Sequence, residues 1–291
     1  MLAGVILAVA VIAFAAYFLV LKPKSNQQTP PLLKDAKVKH SVTISKISSI
    51  SADTFTYEMK FPSSHAKSLL GISTGSHIRL YGKDSNGVEF FRSYTPISSQ
   101  DALGSFTLLI KLYIHPTIPE KSGKMSIFLE NLKVNDQVQI SGPYTSISYR
   151  GSGKFYFTED REEREYKTVS FIGGGSGITP IYQILQAMRK ENFAGKRTLL
   201  FGNRTEADIL LRDELEEMSK DKSAQVFYTV DRPSENWKGF SGFVTEDMLN
   251  SCIPSPSKDH LIILCGPPLM IKECINILTK MGHEDQNVFN F

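Results

Sequence analysis

The second half of the chain alternates strand-like segments with helix-like segments, and this alternation most narrows the possible folds. Most of the short apolar runs are followed by an amphipathic stretch of about ten residues, which is typical of strand–helix units. Because such units place successive strands side by side in one direction, we expect a doubly wound α/β domain with a parallel sheet over 167–291. The predicted strands are TVSFIGG, RTLLFGN, AQVFYTVD and LIILCGP, and the predicted helices are PIYQILQAMRK, ILLRDELEEMSK and MIKECINILTKM.

Residues 39–150 follow a different pattern of short β-like segments separated by turns that carry Gly, Asn or Pro. Regular spacing of such segments is typical of an antiparallel barrel or sandwich. One helix-like segment interrupts them at 123–132. The charged run TEDREEREYK separates the two patterns, and the sequence predicts a hinge linker over 151–166. The predicted strands are VTISKI, TFTYEMKF, HIRLYG, FTLLIKLYI and DQVQISGP.

The amino-terminal segment 2–21 contains neither a charged residue nor a proline. A helix of this length spans about 30 Å, the thickness of a bilayer's hydrocarbon core. A signal peptide would have a basic start and a shorter apolar core, and a buried helix would need neighbours to cover it. The sequence therefore favours a transmembrane anchor over 1–22, and Lys22 and Lys24 predict that the rest of the protein faces the cytosol. The polar, proline-containing stretch 23–38 is predicted to be a linker.

Charge and cysteine usage exclude several functional classes. A formal net charge of +3 is too small to indicate nucleic-acid binding. The three cysteines form no CxxC pair, which fits a reducing compartment, and they cannot supply the four thiolates of a ferredoxin-type iron–sulfur cluster. The six histidines show no metal-ligand spacing, so we predict no metal site.

A glycine-rich loop, GGGSGITP at 173–180, leaves the first predicted strand of the α/β half and opens a helix. Glycines let a ligand approach the backbone, and the free amides and dipole of a helix start favour an anion. The loop matches neither G-x-G-x-x-G nor a Walker loop. A tight strand–helix turn is the alternative, but it would need fewer glycines, so this loop is predicted to bind a phosphate group.

The segment FFRSYTPIS at 90–98 ends a predicted strand with an unusual set of side chains. Arg92 offers a bidentate phosphate contact, Tyr94 an aromatic wall, and Thr95 a short hydroxyl beside a ring edge. Pro96 stops the strand and leaves its edge open. The alternative is a surface arginine next to a β-turn.

Two weaker signals come from chain segments that begin a helix or end a strand. Met125 and Ser126 begin a helix after Ser122-Gly123, which offers a second anion site, although many helices begin in this way. Cys265, in CGPP, ends an apolar strand at the edge where open α/β sheets bind ligands. Its thiol is interpreted as a small, soft group beside a cofactor, with a buried structural cysteine as the alternative.

Asp231 and Arg204 follow two other predicted strands of the α/β half. Asp231 is placed to meet a ribose hydroxyl or to repel a 2′-phosphate, unless it is a simple turn residue. Arg204 is a cation that would instead attract such a phosphate. The choice between NADH and NADPH therefore stays open at these two positions.

Four motifs in this order resemble those of the ferredoxin-reductase-like flavoenzymes, and specifically of the NADH–cytochrome b5 reductases. They are RSYTP at 92–96, GKMS at 123–126, GGGSGITP at 173–180 and CGPPLM at 265–270, and the likeness covers about residues 40–291. The resemblance implies an antiparallel Greek-key barrel that binds FAD, followed by an α/β domain that binds NADH. An N-terminal transmembrane helix before the barrel also suits that family.

The resemblance assigns the FAD site to the barrel and to one turn of the second domain. Arg92 and the amides of Met125 and Ser126 are expected to hold the pyrophosphate. Tyr94 and Thr95 are expected to line the isoalloxazine, with Thr95 near the reactive N5. The residues expected around FAD are Arg92, Ser93, Tyr94, Thr95, Leu109, Lys111, Tyr113, Gly123, Lys124, Met125, Ser126, Thr179 and Pro180.

The NADH site is assigned in the same way to the α/β domain. The glycine-rich loop is expected to hold the pyrophosphate, and Cys265 to flank the nicotinamide. Thr95 and Cys265 are the two residues expected at the reacting centre. The residues expected around NADH are Gly174, Gly175, Ser176, Gly177, Asp231, Cys265, Gly266, Pro267, Met270 and Phe291.

The implied activity is hydride transfer from NADH to FAD, followed by transfer of single electrons to cytochrome b5. An acidic haem protein of this kind would be steered by surface lysines such as Lys124. We expect a monomer in the endoplasmic reticulum or mitochondrial outer membrane. Two alternatives remain: a related membrane NAD(P)H flavin reductase serving a ferric chelate or a quinone, and a non-enzymatic tether that has lost its cofactor.

Overall fold

The first sheet contains β1 (His40–Ser49), β2 (Thr54–Lys60), β3 (Ser76–Lys83), β4 (Glu89–Tyr94), β5 (Ser105–Lys111) and β6 (Gln137–Thr145). Its strand order is β4-β3-β6-β1-β2-β5, and every neighbouring pair is antiparallel. Burial alternates along the strands: in β3, Ile78 and Leu80 are buried, and Arg79 between them is half-buried. One face of the sheet therefore fills a core.

The two edge strands of this sheet meet just beyond the end of β4. The amide of Ile97 donates a hydrogen bond to the carbonyl oxygen of Thr107 in β5, at 2.9 Å. This contact curls the sheet into a barrel. Helix α1 (Lys124–Glu130) adds Met125 and Leu129 to the barrel core.

The computed structural model describes residues 29–115 and 117–291. The predicted transmembrane anchor at 1–22 and the first part of the predicted linker lie outside these residues. Within the described ranges, no helix is both long and apolar enough to cross a membrane.

The end of the linker predicted over 23–38 is packed against the barrel. Leu32 and Leu33 are buried in the barrel core. Their amides donate hydrogen bonds of 2.9 Å to the carbonyl oxygens of Leu69 and Leu70. The prediction of a tether is therefore wrong for this apolar pair, because burial of the two leucines holds the chain in place.

The segment predicted as a hinge linker over 151–166 instead contributes to a second antiparallel sheet. This sheet has the order β7 (Ile147–Gly151), β8 (Lys154–Phe157) and β9 (Glu162–Glu165). In β8, Phe155 and Phe157 are buried and their neighbours are not. The charged run that suggested a linker forms an edge strand, where exposed charges are common.

The parallel sheet contains β10 (Thr168–Gly174), β11 (Lys196–Asn203), β12 (Gln225–Val230), β13 (Phe240–Ser241), β14 (His260–Cys265) and β15 (Val288–Asn290). Its order is β13-β12-β11-β10-β14-β15, with all neighbours parallel. The predicted succession of an antiparallel domain and a parallel α/β domain is confirmed. The sequence did not predict β13 or β15.

Helices cover both faces of the parallel sheet. Helices α2 (Ile178–Lys190) and α3 (Arg212–Lys220) pack on the face that contains Phe171. Helices α4 (Glu246–Cys252) and α5 (Pro268–Lys280) pack on the opposite face, which contains Ile172. Adjacent residues of one central strand thus enter different cores, as expected for a strand buried on both sides.

Two helices differ from the prediction. The helix α4 was not predicted. The helix predicted from Ile209 begins only at Arg212, since Leu211 has a φ of 55° and this left-handed backbone cannot belong to an α-helix.

Candidate active site

The strand order of the parallel sheet creates a crevice at the carboxyl ends of β10 and β14. The chain leaves β10 toward β11 on one side, whereas β14 lies on the other side. Open α/β sheets bind ligands at such a reversal of strand order. The GGGSG loop follows β10 and the CGPP loop follows β14, so the two glycine-containing motifs flank this crevice.

The two loops pack so closely that side chains are excluded between them. A Cβ atom on Gly177 would lie 2.5 Å from the carbonyl carbon of Cys265 and 2.8 Å from the amide nitrogen of Gly266. A Cβ atom on Gly174 would lie 2.7 Å from Pro267 and 2.8 Å from Met270. These glycines are therefore needed for loop-to-loop packing.

Gly175 has a different role from the glycines beside it. Its φ is 52°, and no atom of the described residues, apart from its chain neighbours, lies within 4 Å of the place where its Cβ would be. The backbone here is open to a ligand, and α2 begins three residues later with its free amides. A helix start of this kind is suited to a phosphate group.

A single cleft of about 1310 Å³ lies between the barrel and the parallel sheet. It is larger than the usual site for one small ligand, which is about 300–1,000 Å³. Every residue predicted for FAD or NADH lines this cleft. They are Arg92, Ser93, Tyr94, Thr95, Leu109, Lys111, Tyr113, Gly123, Lys124, Met125, Ser126, Gly174, Gly175, Ser176, Gly177, Thr179, Pro180, Asp231, Cys265, Gly266, Pro267, Met270 and Phe291.

The barrel wall of the cleft is formed by the end of β4. Arg92 is exposed, donates to the Phe91 carbonyl oxygen at 2.8 Å, and has no carboxylate within 4.0 Å among the described residues. Burial raises the pKa of Tyr94, although Arg92 opposes this shift, so the phenol is neutral. Thr95 is 9% exposed. This wall thus offers one free cation beside a neutral ring and a hydroxyl.

The start of α1 is held against the barrel by its own serine. The amide of Tyr113 donates to Oγ of Ser126 at 2.9 Å, and the amide of Gly123 donates to the carbonyl oxygen of Tyr113 at 2.8 Å. Lys124 is largely exposed at the cleft edge, 3.5 Å from Asp84. The sequence predicted ligand contacts for this turn but not the serine bond that fixes it.

Lys111 lines the cleft, but its ammonium group is already paired. Its Nζ lies 3.0 Å from Asp53 in the barrel domain and 2.8 Å from Asp208 in the α/β domain, and the side chain is 10% exposed. Burial alone would lower the pKa of Lys111, but the hydrogen bonds to Asp208 and Asp53 outweigh it and raise this pKa. The side chain predicted as a flavin neighbour therefore also joins the two domains.

Cys265 ends β14 and faces the cleft with a protonated thiol. Burial raises its pKa to about 11. A thiol with such a pKa is a poor nucleophile at neutral pH. His260 begins the same strand, about 16 Å away along it, and bonds to Ser170 at 2.8 Å. The geometry thus fits a small uncharged group beside a ligand, and His260 is too far away to act as a base for this cysteine.

Asp231 and Arg204 follow adjacent strands and both line the cleft. The amide of Asp231 donates to the carbonyl oxygen of Asn203 at 3.0 Å. The amide of Arg232 donates to the carbonyl oxygen of Arg204 at 2.9 Å. In the described part of the chain, neither the aspartate nor Arg204 belongs to an ion pair. Both charges are therefore available to a nucleotide.

The carboxyl terminus and two apolar side chains complete the cleft. The amide of Phe291 donates to the carbonyl oxygen of Leu264 at 3.0 Å, which holds the last residue beside β14. Phe243 and Leu269 are 82% and 80% exposed, and both line the cleft. The sequence did not predict these two. Their only signal is a large apolar residue beside Gly or Pro shortly after a strand, in a loop for Phe243 and in the first turn of α5 for Leu269.

The cleft residues fit ligands that carry both phosphates and flat rings. The guanidinium of Arg92 is free, the backbone at Gly175 is open, and Tyr94 offers a neutral aromatic surface. These groups come from both domains and face one space. Such a site can hold two phosphate-bearing ring systems together.

Comparison with known proteins agrees with this geometry. Residues 41–149 match the family model "Oxidoreductase FAD-binding domain", and residues 171–275 match "Oxidoreductase NAD-binding domain". The chain is 37% identical to NADH-cytochrome b5 reductase 2 of Danio rerio, over 99% of this chain and 98% of the relative. It is 38% identical to NADH-cytochrome b5 reductase 3 of Mus musculus, over 91% of each.

A solved structure shows the same architecture. The cytochrome b5 reductase domain of Ulva prolifera nitrate reductase superposes with a TM-score of 0.82 at 34% identity, covering 90% of this chain and 100% of that domain. The family models, the sequence identity and the fold all agree, and the cleft residues suit both cofactors. The chain belongs to the NADH–cytochrome b5 reductase family of ferredoxin-reductase-like flavoenzymes, and it is an NADH-dependent FAD oxidoreductase.

Proposed function

We propose that this protein is a membrane-anchored reductase that delivers electrons from NADH to a cytochrome b5. The observation that carries the proposal is the near full-length identity of 36–38% to relatives named NADH-cytochrome b5 reductase. The shared cleft between the two domains supports it. When bound, NADH supplies a hydride, and FAD accepts two electrons and passes them on singly.

In this proposal the barrel binds FAD. Arg92 and the start of α1 hold the pyrophosphate, and a free guanidinium gives a strong, charge-assisted contact with phosphate. Tyr94 and Thr95 line the ring system. The fixed serine bond between Ser126 and Tyr113 keeps the α1 turn in place for this contact.

The α/β domain binds NADH in the same cleft. The open backbone at Gly175 and the start of α2 hold its pyrophosphate, and Cys265 lies beside the nicotinamide. The thiol stays protonated and the phenol of Tyr94 stays neutral, since burial raises the pKa of both. These two groups therefore line the reacting centre without adding a charge that would attract water.

The remaining parts of the proposal concern the partner and the membrane. Lys124 is 66% exposed at the cleft edge and would steer an acidic haem protein toward it. The apolar segment 1–22 would anchor the enzyme in the endoplasmic reticulum or mitochondrial outer membrane, facing the cytosol. Confinement of both partners to one membrane raises their encounter rate. A monomer suffices, since one chain supplies every residue of the proposed site.

The experiment compares electron transfer from NADH to purified cytochrome b5, a ferric chelate and a quinone. We expect cytochrome b5 to be reduced fastest, and its reduction to slow as salt is raised. Lys124→Glu should slow reduction of cytochrome b5 more than reduction of the chelate, because Lys124 also borders the FAD site, whereas Lys154→Glu, away from the cleft, should change neither. Faster reduction of the ferric chelate or the quinone would identify that compound as the acceptor instead.

A separate experiment tests the membrane anchor. The full chain should stay in membranes after a carbonate wash, and release by that wash would contradict the anchor.

A further inference from the structure

Gln183 connects the nucleotide-binding helix to the barrel. It lies in α2, one turn after Thr179, and is 3% exposed. Its Oε1 accepts a hydrogen bond from the amide of Gly75 at 2.6 Å. Its Nε2 lies 3.5 Å from the carbonyl oxygens of Ser76 and Pro96, to which it donates. All three partners belong to the barrel, so one buried side chain of the α/β domain bonds to the backbone of the other domain.

These backbone partners adjoin the wall of the cleft. Pro96 directly follows Thr95, and Ser76 directly precedes His77; Thr95 and His77 both line the cleft. Gly75 has a φ of 94°, and a Cβ atom there would lie 2.5 Å from a carbonyl oxygen of β7. The turn that donates the shortest of the three bonds is thus closely packed and has little freedom to follow a moving helix.

The same helix carries a cleft residue in its first turn. Thr179 lies four residues before Gln183, a rise of about 6 Å along a rigid helix. The bond to Gly75 and the contact with Pro96 therefore fix Thr179 of one domain relative to Thr95 of the other. We infer that Gln183 is a positioning residue that sets the spacing between the barrel wall and the α/β wall of the cleft, and therefore between the FAD and NADH sites proposed above.

The site requires an amide rather than any residue of similar size. The Gly75 amide needs an acceptor, and the Ser76 and Pro96 carbonyl oxygens need a donor. An ionised carboxylate supplies only acceptors, and a thioether supplies neither at useful strength. The Lys111–Asp208 ion pair also joins the domains, so loss of Gln183 alone changes their alignment and leaves them attached.

The test measures anaerobic reduction of bound FAD by NADH in a stopped-flow instrument. This half-reaction needs no electron acceptor other than the bound FAD, so its outcome is independent of the proposed protein partner. Gln183→Met keeps the volume and removes the bonds, and should lower the maximal rate per bound flavin by about 10- to 100-fold. NADH affinity and FAD content should stay close to those of the wild type. Gln186→Met, one turn further along α2, is the matched control and should react at the wild-type rate.

A second variant separates alignment from simple destabilisation. In Gln183→Glu the buried carboxyl should have a raised pKa, so acid converts it from an acceptor into a group that also donates. Its rate should therefore rise as pH is lowered between about pH 8.5 and 5.5, relative to wild type. The inference would be overturned if Gln183→Met and Gln183→Glu both reduced their flavin at the wild-type rate. It would also be overturned if the Gln186→Met control lost as much rate as Gln183→Met. If Gln183→Met does not fold, the Gln183→Glu variant decides by itself: a reduction rate with the same pH profile as wild type would overturn the inference.

Discussion

Replacement of Gly177 by alanine tests whether the contact between the two ligand loops controls the reaction. Gly177 has a φ of −63°, which alanine adopts without strain, so the effect is steric alone. The new Cβ would clash with the carbonyl oxygen of Cys265 and lie 2.5 Å from its carbonyl carbon, whereas ordinary contacts begin at 3.4 Å, so the loops must separate by at least about 0.9 Å. Both neighbours are backbone atoms, and no side-chain rotation can relieve the clash.

Such a displacement should affect catalysis more than folding. Overpacking typically lowers the free energy of unfolding by about 1–3 kcal/mol. A shift near 1 Å in a positioned reactant reduces rates by about 100-fold. We therefore expect Gly177→Ala to retain FAD but to be reduced by saturating NADH about 100-fold more slowly, as measured by anaerobic stopped-flow absorbance.

The matched control is Gly87→Ala in the turn between β3 and β4. Gly87 has a φ of 76°, and in the part of the chain that the structure describes no atom beyond its chain neighbours lies within 4 Å of a Cβ placed there, so alanine meets backbone strain but no clash. This variant should lose about 1 kcal/mol of unfolding free energy and keep the wild-type reduction rate. A Gly177→Ala rate within a factor of about two of wild type would refute the reasoning, since a displacement near 1 Å should slow the reaction far more.

Three further predictions concern charges. Arg92→Leu removes a free phosphate contact that is worth about 1.5–3 kcal/mol, so FAD should bind roughly 10- to 100-fold more weakly in a fluorescence titration; unchanged retention would contradict this role. Lys111→Met should lower the free energy of unfolding by about 1–3 kcal/mol at neutral pH in a urea titration. Burial would raise the pKa of Asp208, but the hydrogen bonds from Lys111 and Thr205 outweigh it and lower this pKa. The stability difference between wild type and Lys111→Met should therefore be complete above about pH 4 and shrink as the pH falls further. A stability difference of the same size in acid would contradict this prediction. Burial lowers the pKa of His260 to about 4, so wild-type stability should fall as pH drops from about 6.5 toward 4, and His260→Asn should flatten that decline in thermal melts.

The ligand loops could be predicted because their chemistry is local. The glycine-rich stretch after β10 and the CGPP stretch after β14 each carry their signal within a few residues, and parallel strands bring their ends together. The same holds for Arg92, Tyr94 and Thr95 at the end of β4. Strand direction alone was enough to place the two ligand loops at a common edge, whereas the position of the β4 residues opposite them followed only from the family resemblance.

The remaining features depend on partners far away in the sequence. Leu32 and Leu33 are buried only because the barrel offers them a place, which a local pattern of prolines and polar residues cannot indicate. Lys111 finds Asp208 across the domain boundary, 97 residues later. Gln183 looked like one more helix residue, and only its contacts with the barrel distinguish it.

The central claim is that one cleft holds FAD from the barrel side and NADH from the α/β side. The most direct measurement is an anaerobic titration of the purified full chain with NADH while the absorbance of the bound flavin is followed. We predict that the protein is purified with bound FAD and that the flavin band bleaches in proportion to the NADH added, at about one NADH for each FAD. A chain that takes up no FAD, or whose bound flavin keeps its absorbance in excess NADH, would contradict the account.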